Sequence, residues 1–328
     1  MLQEELKVNN LINKYRVLND NLSAKGVRIP TVVALVLLII ILSFTAKNFA
    51  TINNFMVVLR QISVNAILGY GMTFVILTAG IDLSVGPIIA LTGVLSAMMI
   101  NAGINPFIVI LSIPIMGGIC GAFNGLLIAR GRMFPFVVTM ATQVVFKGIT
   151  YLICGGRPIM MDSKNPFIQV GTGFFLGIPI PIYIFIIVLI LAYFLLMHTQ
   201  FGKRVYIVGG NRETARLSGI NVPNVITWIY IISGICASIA GMILTTRLYS
   251  GQPQTGTGYE LDAVAATVLG GASLSGGKGT VLGTMIGAII IGILNNGMTL
   301  LGISAYWQYV VKGAVIILAV LMDKDRIY

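Results

Sequence analysis

PIYIFIIVLILAYFLLM, Pro181 to Met197, runs seventeen residues without a charge, near the shortest stretch that crosses a hydrocarbon core about 30 Å thick as a helix. PTVVALVLLIIILSFTA, Pro30 to Ala46, does the same near the start of the chain. Outward from these two, apolar stretches recur at 30–46, 57–79, 85–101, 106–129, 134–154, 179–197, 223–246, 260–275, 280–302 and 305–322. Only 9% of the residues are charged and mean hydropathy is +0.95, against roughly 25% charged in a soluble domain. The fold class is therefore all-α and polytopic in a membrane, with about ten transmembrane segments. The 328 residues leave little room for a separate soluble domain.

A net charge of +11 raises the question of nucleic acid, but the cations do not pool into one patch with interleaved aromatics. They flank the apolar stretches. Lys7, Lys14, Arg16, Lys25 and Arg28 precede the first one. Threading from a cytoplasmic start puts these on the inside with Arg130, Arg132, Lys203, Arg204, Arg212, Arg216, Lys324 and Arg326, 13 in all. Six face out: Lys47, Arg60, Lys147, Arg157, Lys164 and Arg247. The positive-inside rule supports that orientation, with both termini cytoplasmic. The organisation expected is a cytoplasmic segment 1–29, a membrane domain 30–322 and a cytoplasmic tail 323–328. The polar lead and the lack of a small-residue cleavage site argue against a removed signal. Cys120, Cys154 and Cys236 have no metal-like spacing and are too few for a disulfide framework.

Two loops exceed the others. The outer one, 155–179, is rich in glycine and proline and has room for a short helix or a lid. The inner one, 198–222, is the one sizeable hydrophilic cytoplasmic surface besides the termini. Within it Asn211 is placed to cap a short helix, Arg212 to Ser218, that stops at Gly219. Arg212 and Arg216 would share a face, with Ala215 and Leu217 left for an apolar contact. A helix this short is unstable alone in water, so it docks on its own membrane domain or on a partner.

Segments three and eight are short and interrupted, and irregular backbone at membrane depth needs protein or a water-filled cavity around it. Gly80-Ile81-Asp82-Leu83-Ser84-Val85-Gly86 matches Gly271-Ala272-Ser273-Leu274-Ser275-Gly276-Gly277 as G-x-[DS]-L-S-x-G at an offset of 191. Both follow an apolar run crossing in the same direction, which suggests a parallel internal repeat.

A charge inside the membrane costs roughly 2.5 to 3.5 kcal/mol on insertion scales, so Asp82 needs a reason. It caps the helix starting at about Ser84, pairs with a cation, or lines a polar path. Capping leads, because Ser273 stands at the matching position and can cap without charge. Glu260 and Asp262 open segment eight, where they complement the helix dipole or lie on the surface. Asn124, Asn295 and Asn296 are neutral amides in apolar helices, suited to helix–helix glue or to a weakly polar conduit. Lys312 snorkels or meets an acid. No catalytic set emerges: there is one histidine, His198. The stretch GGASLSGGKGT, Gly270 to Thr280, fails the phosphate-loop pattern at Ala272 and Gly279.

The stretches Ser63 to Gly93, Gly209 to Val222, Ser250 to Thr280 and Ile291 to Ser304 resemble, in order and across both halves, the permease subunits of ribose-type ABC sugar importers. Pro87 departs from that pattern, and the outer loop is less alike. The resemblance implies a non-catalytic, multi-pass subunit of a bacterial cytoplasmic (inner) membrane, passing a monosaccharide, ribose foremost. It implies as partners a second permease subunit in a homodimer, a cytoplasmic ABC ATPase and an extracytoplasmic sugar-binding protein. No cofactor is expected, ATP being used by the ATPase subunit. Asn211, Arg212, Glu213, Arg216 and Leu217 would form the ATPase-coupling helix. Asp82, Ser84, Asn124, Ser273, Ser275, Asn295 and Asn296 are the candidates for the helix breaks or the path. The alternatives are a permease for another small sugar or autoinducer-type furanose, and an ion-coupled secondary transporter relaying through Asp82, Glu260 and Asp262.

Overall fold

The computed structural model describes residues 29–322. The expected N-terminal segment and C-terminal tail lie outside the described residues, apart from Ile29. Among the described residues there are thirteen α-helices: α1 Ile29–Thr45, α2 Ile52–Leu77, α3 Val85–Asn101, α4 Pro106–Ala129, α5 Pro135–Cys154, α6 Gln169–Thr172, α7 Ile180–Met197, α8 Gln200–Gly210, α9 Arg212–Leu217, α10 Val222–Arg247, α11 Tyr259–Leu269, α12 Val281–Leu300 and α13 Ala305–Met322. Each of the ten apolar stretches holds one of them. Six helices, α2, α4, α5, α7, α10 and α12, are long and apolar enough to cross a membrane, while α1, α3 and 305–321 are shorter apolar helices. At 11 residues and ~1.5 Å per residue, α11 reaches only part of the way across.

The central pair is α2 and α10, each 26 residues long. From Ile62 to Leu77 α2 is buried throughout, and its neighbours are α10, α11, α12 and α7. Hydrocarbon gives apolar helices no reason to cluster, so close packing depends on small residues that let backbones meet. Gly117, Gly121 and Gly125 of α4 form such a ridge against α10. A Cβ on Gly117 would strike the Gly234 carbonyl, one on Gly121 the Tyr230 carbonyl, and one on Gly125 would lie 2.7 Å from Thr227 Cα. Larger residues here would part the two helices. The outward faces stay apolar: Phe44, Leu152, Ile190 and Leu191 are exposed, as lipid contact allows. Pro114 lies inside α4 and is tolerated there as in other membrane helices.

Irregular chain enters the interior twice. After α2 the backbone leaves the helix at Thr78 and restarts at Val85. Between α10 and α11, Ser250, Gly251, Pro253, Gly256 and Gly258 are buried, and a Cβ on Gly251 would lie 2.7 Å from Val94 Cα on α3. The long loop 155–179 holds a short strand β1 (Ile159–Met160), a 3-10 turn Pro166–Ile168, α6 and a hairpin of β2 (Phe174–Phe175) and β3 (Ile178–Pro179). Its β1 pairs antiparallel with β4 (Ser250–Gly251), which ties the loop to the buried segment.

Candidate functional site

The last carbonyls of a helix have no partner within it, and the end of α2 shows where two of them go. Gly277 N donates to Leu77 O at 2.8 Å. Arg212 Nη2, from α9, donates to Thr78 O at 3.1 Å, a cation at a helix C-terminus where the dipole favours it. Gly209 of α8 lies against Leu77 O so closely that a Cβ would collide with it, and that Cβ would also lie 2.8 Å from Gly277 N. Tyr206 Oη donates to Gly279 O at 2.7 Å. The loop 198–222 is thus bonded to both helix breaks at one junction.

The loop's fold explains how it holds them. Thr199 caps α8, accepting from Gly202 N at 3.2 Å. Asn211 caps α9, accepting from Thr214 N at 2.9 Å. Gly219, with φ +77°, closes α9: its N–H donates to Arg216 O and that of Ile220 to Ala215 O, both at 3.0 Å, the Schellman pattern. Ala215 is buried and Leu217 is 77% exposed. The expected common face of Arg212 and Arg216 divides, because Arg212 turns to α2 while Arg216 pairs with Glu213 at 2.6 Å on the exposed side. The Arg216 guanidinium holds the Glu213 carboxyl below its usual range. Helix α8, with Tyr206 and Gly209, was not foreseen; a tyrosine before a glycine pair is its one local signal.

At the first break Asp82 is fully buried. Its Oδ1 accepts from Ser84 N at 3.0 Å and Ser84 Oγ at 2.6 Å. Its Oδ2 accepts from Ser233 Oγ of α10 at 2.7 Å. Asn124 Nδ2 of α4 donates to Ser84 Oγ at 2.7 Å. Capping is therefore half of the account: Asp82 takes one backbone N–H at the entry to α3, and its other bonds reach Ser84 Oγ and α10, with α4 joined through Ser84 Oγ. The ion pairs among the described residues are Glu213–Arg216 and Asp262–Lys312, so hydroxyls rather than a cation hold Asp82. Ser233, followed by glycine in an apolar helix, is the partner that sequence reasoning missed.

At the second break Ser275 N donates to Ser273 Oγ at 3.4 Å, and Ser273 N to Lys278 O at 2.9 Å. The expected segment 260–275 ends instead at Leu269, because Gly271 takes φ +95° and closes a Schellman cap, Ala272 N donating to Thr267 O at 3.1 Å. Helix α12 restarts at Val281, capped by Thr280.

The remaining amides lie apart from this junction. Asn296 of α12 and Asn54 of α2 exchange side-chain hydrogen bonds of 2.9 and 3.1 Å. Asn295 Nδ2 donates to Asp262 Oδ2 at 3.3 Å, and Lys312 Nζ is 2.9 Å from the same oxygen. Glu260 accepts from Gly258 N at 3.1 Å. Both Glu260 and Asp262 are buried, which removes the surface alternative, since the irregular segment 248–258 and α13 cover the start of α11.

A bundle of apolar helices with two interruptions, both bonded to the one loop 198–222, belongs to the class of membrane transport subunits. The chain is a member of the family described as branched-chain amino acid transport system / permease component, whose model matches residues 54–320. It is 48% identical over 293 residues to the ribose import permease protein of Bacillus subtilis (strain 168), covering 89% of this chain and 91% of that protein. It is 46% identical over 299 residues to the ribose import permease protein of Escherichia coli (strain K12), covering 90% and 93%. The D-allose transport system permease protein of the same strain is 38% identical over 283 residues, 86% of each chain. No solved structure matches the chain.

Proposed function

We propose that this chain is the membrane-spanning permease of an ABC importer for a monosaccharide, D-ribose first. The observation that carries the reading is identity of 46% to 48% with ribose import permeases over nine-tenths of the chain. The allose relative, at 38%, keeps other small sugars as the nearest alternative. About ten crossings, both termini cytoplasmic and a parallel repeat are the topology that goes with this reading. The shared G-x-[DS]-L-S turn of the two breaks supports the repeat.

In this reading α9 is the coupling helix. A cytoplasmic ATPase pair would engage Glu213, Arg216 and Leu217, which face away from the membrane domain. Arg212 and the neighbouring Tyr206 would carry the push inward, through Thr78 O to the first break and through Gly279 O to the second. A partner shifts a two-state equilibrium only by its differential affinity, so the exposed side of α9 must meet the open and closed ATPase differently. Two copies of the permease would then rock about a shared path, fed from outside by the sugar-binding protein. The chain needs no cofactor of its own for this, ATP being consumed by the ATPase.

The test is uptake of labelled D-ribose into proteoliposomes. An importer permease requires the ATPase, the loaded binding protein and ATP, whereas an ion-coupled carrier works alone under an ion gradient. The geometry disfavours the carrier, because Asp82 and Glu260 are held by hydrogen bonds and Asp262 by Lys312. Charge reversal at Glu213 and Arg216 together with Arg212→Glu should abolish ATP-driven uptake; unchanged uptake would remove α9 from the coupling role.

A further inference from the structure

Far from α9, a cavity of about 230 Å³ opens between α2, α11, α12 and α13, lined by Gln61, Asn65, Asp262, Asn295, Tyr309 and Lys312 among others. Asn65 lies twelve residues before Leu77 on α2, about 18 Å along the axis from the junction of the two breaks. The walls hold more hydrogen-bonding capacity than the protein uses. Asn65 is 3% exposed and makes no side-chain hydrogen bond among the described residues. Gln61 Oε1 and Asn295 Oδ1 are buried and have no partner. Asp262 Oδ2 accepts from both Lys312 and Asn295, which leaves Oδ1 and two ammonium N–H groups unused.

Buried polar groups in folded proteins find partners, so three amides with unspent atoms around one cavity call for an occupant. That occupant must offer donors and acceptors together without a net charge, since the ion pair already balances itself. Hydroxyl groups fit, each giving one O–H and two lone pairs. A volume of about 230 Å³ is well above what a single water needs and leaves room for a small polyol. Pure helix glue is an insufficient account: the Asn54–Asn296 pair shows what glue looks like here, with each amide bonded to the other.

We infer that this cavity is a binding site for a small neutral sugar within the permease, with Asn65, Asn295 and the Asp262–Lys312 pair as its hydrogen-bonding groups. The inference rests on the sugar-permease reading and deepens it. The pair also separates a site from a strut. Replacing a buried ion pair by apolar residues of similar volume is often neutral or stabilising for folding, so Asp262→Leu with Lys312→Met should assemble.

The experiment uses the full complex, permease with its ATPase and binding protein, in proteoliposomes with labelled D-ribose as probe. Two variants are compared with wild type: Asn65→Leu, and Asp262→Leu/Lys312→Met. Uptake should fall at least tenfold in each, while ATP hydrolysis stimulated by loaded binding protein stays within twofold, because the α9 junction is untouched. Wild-type uptake with both variants within twofold of it would overturn the site. So would failure of Asn65→Leu and the smaller Asn65→Ala alike to reach the membrane, which would make Asn65 a packing residue. A wild-type complex that transports no ribose would instead overturn the sugar-permease reading and the site with it.

Discussion

The two helix breaks share a sequence pattern and differ in what they spend on it. At both, a helix stops in a Schellman cap, and the third residue of G-x-[DS]-L-S accepts from the backbone N–H two residues on: Ser84 N to Asp82 at 3.0 Å, Ser275 N to Ser273 at 3.4 Å. The first break then restarts at once, with α3 at Val85, while the second runs on to α12 at Val281. The first sits between α4 and α10 and has hydroxyls to receive there, so a second carboxylate oxygen has work, bonding Ser233. At the second break a hydroxyl, Ser273 Oγ, takes the carboxylate's place in the turn. The difference teaches that the turn is the repeated requirement and that the charge belongs to the neighbours of one copy.

The largest expected effect separates these two jobs. Asp82→Leu strips the acceptor from Ser84 N, Ser84 Oγ and Ser233 Oγ, and each orphaned buried donor costs about 1–3 kcal/mol, so a loss of at least ~3 kcal/mol is expected. The thermal midpoint of the purified permease in detergent measures it, and Ser273→Ala at the other break should move that midpoint far less. Asp82→Ser, which copies the second break into the first, should fall between. Equal losses for Asp82→Leu and Asp82→Ser would mean that the bridge to α10, and not the turn, is the whole of the stabilisation.

A smaller effect is expected where the breaks meet. Gly209→Ala sets a Cβ against the Leu77 carbonyl and Gly277 N; all are backbone and none can swing aside, so overpacking should cost about 1–3 kcal/mol. Because α8 would lift from both breaks, ATP-driven uptake should drop more than ATP hydrolysis does. Uptake and hydrolysis falling in step would argue that the junction supports assembly rather than coupling.

The smallest effect has the opposite sign. In the aligned motif Gly80 corresponds to Gly271, yet the left-handed residue at the first break is Ala79, φ +58°, one place earlier than Gly271, φ +95°. Gly80 is needed instead because a Cβ there would lie 2.8 Å from Tyr230 Oη. An L-residue in this conformation costs roughly 1–2 kcal/mol, so Ala79→Gly should raise the thermal midpoint by up to about 1 kcal/mol equivalent. A lower midpoint would show that the methyl group packs at more than its strain.

Much of the helix inventory was legible in the apolar runs, because a residue facing lipid or a packed neighbour must be apolar for some twenty positions at a time. Helices α3 and α4 begin and end where those runs do. The α9 helix was legible too, since Asn211 and Gly219 are local stop signals that need no tertiary context. Helix α8 was hidden by a mixture of Lys203, Arg204 and Tyr206 with glycines, which carries no membrane signal. The Asp262–Lys312 pair was not assignable, because fifty residues separate the partners and other acids were equally open to Lys312.

Sequence by itself determined that this chain lies in a membrane, where its long apolar helices run, that one motif recurs at two interruptions, and which family it belongs to. These follow from composition and local order, where the solvent acts on each residue separately. Only the tertiary structure decided that both interruptions abut one loop, that Asp82 bonds across to Ser233, and that Asn65, Asn295 and Gln61 surround one cavity. Those facts depend on which helices are neighbours. In a bundle where nearly every helix is apolar, small residues and a few buried hydrogen bonds select the neighbours, and their partners lie far away in the chain.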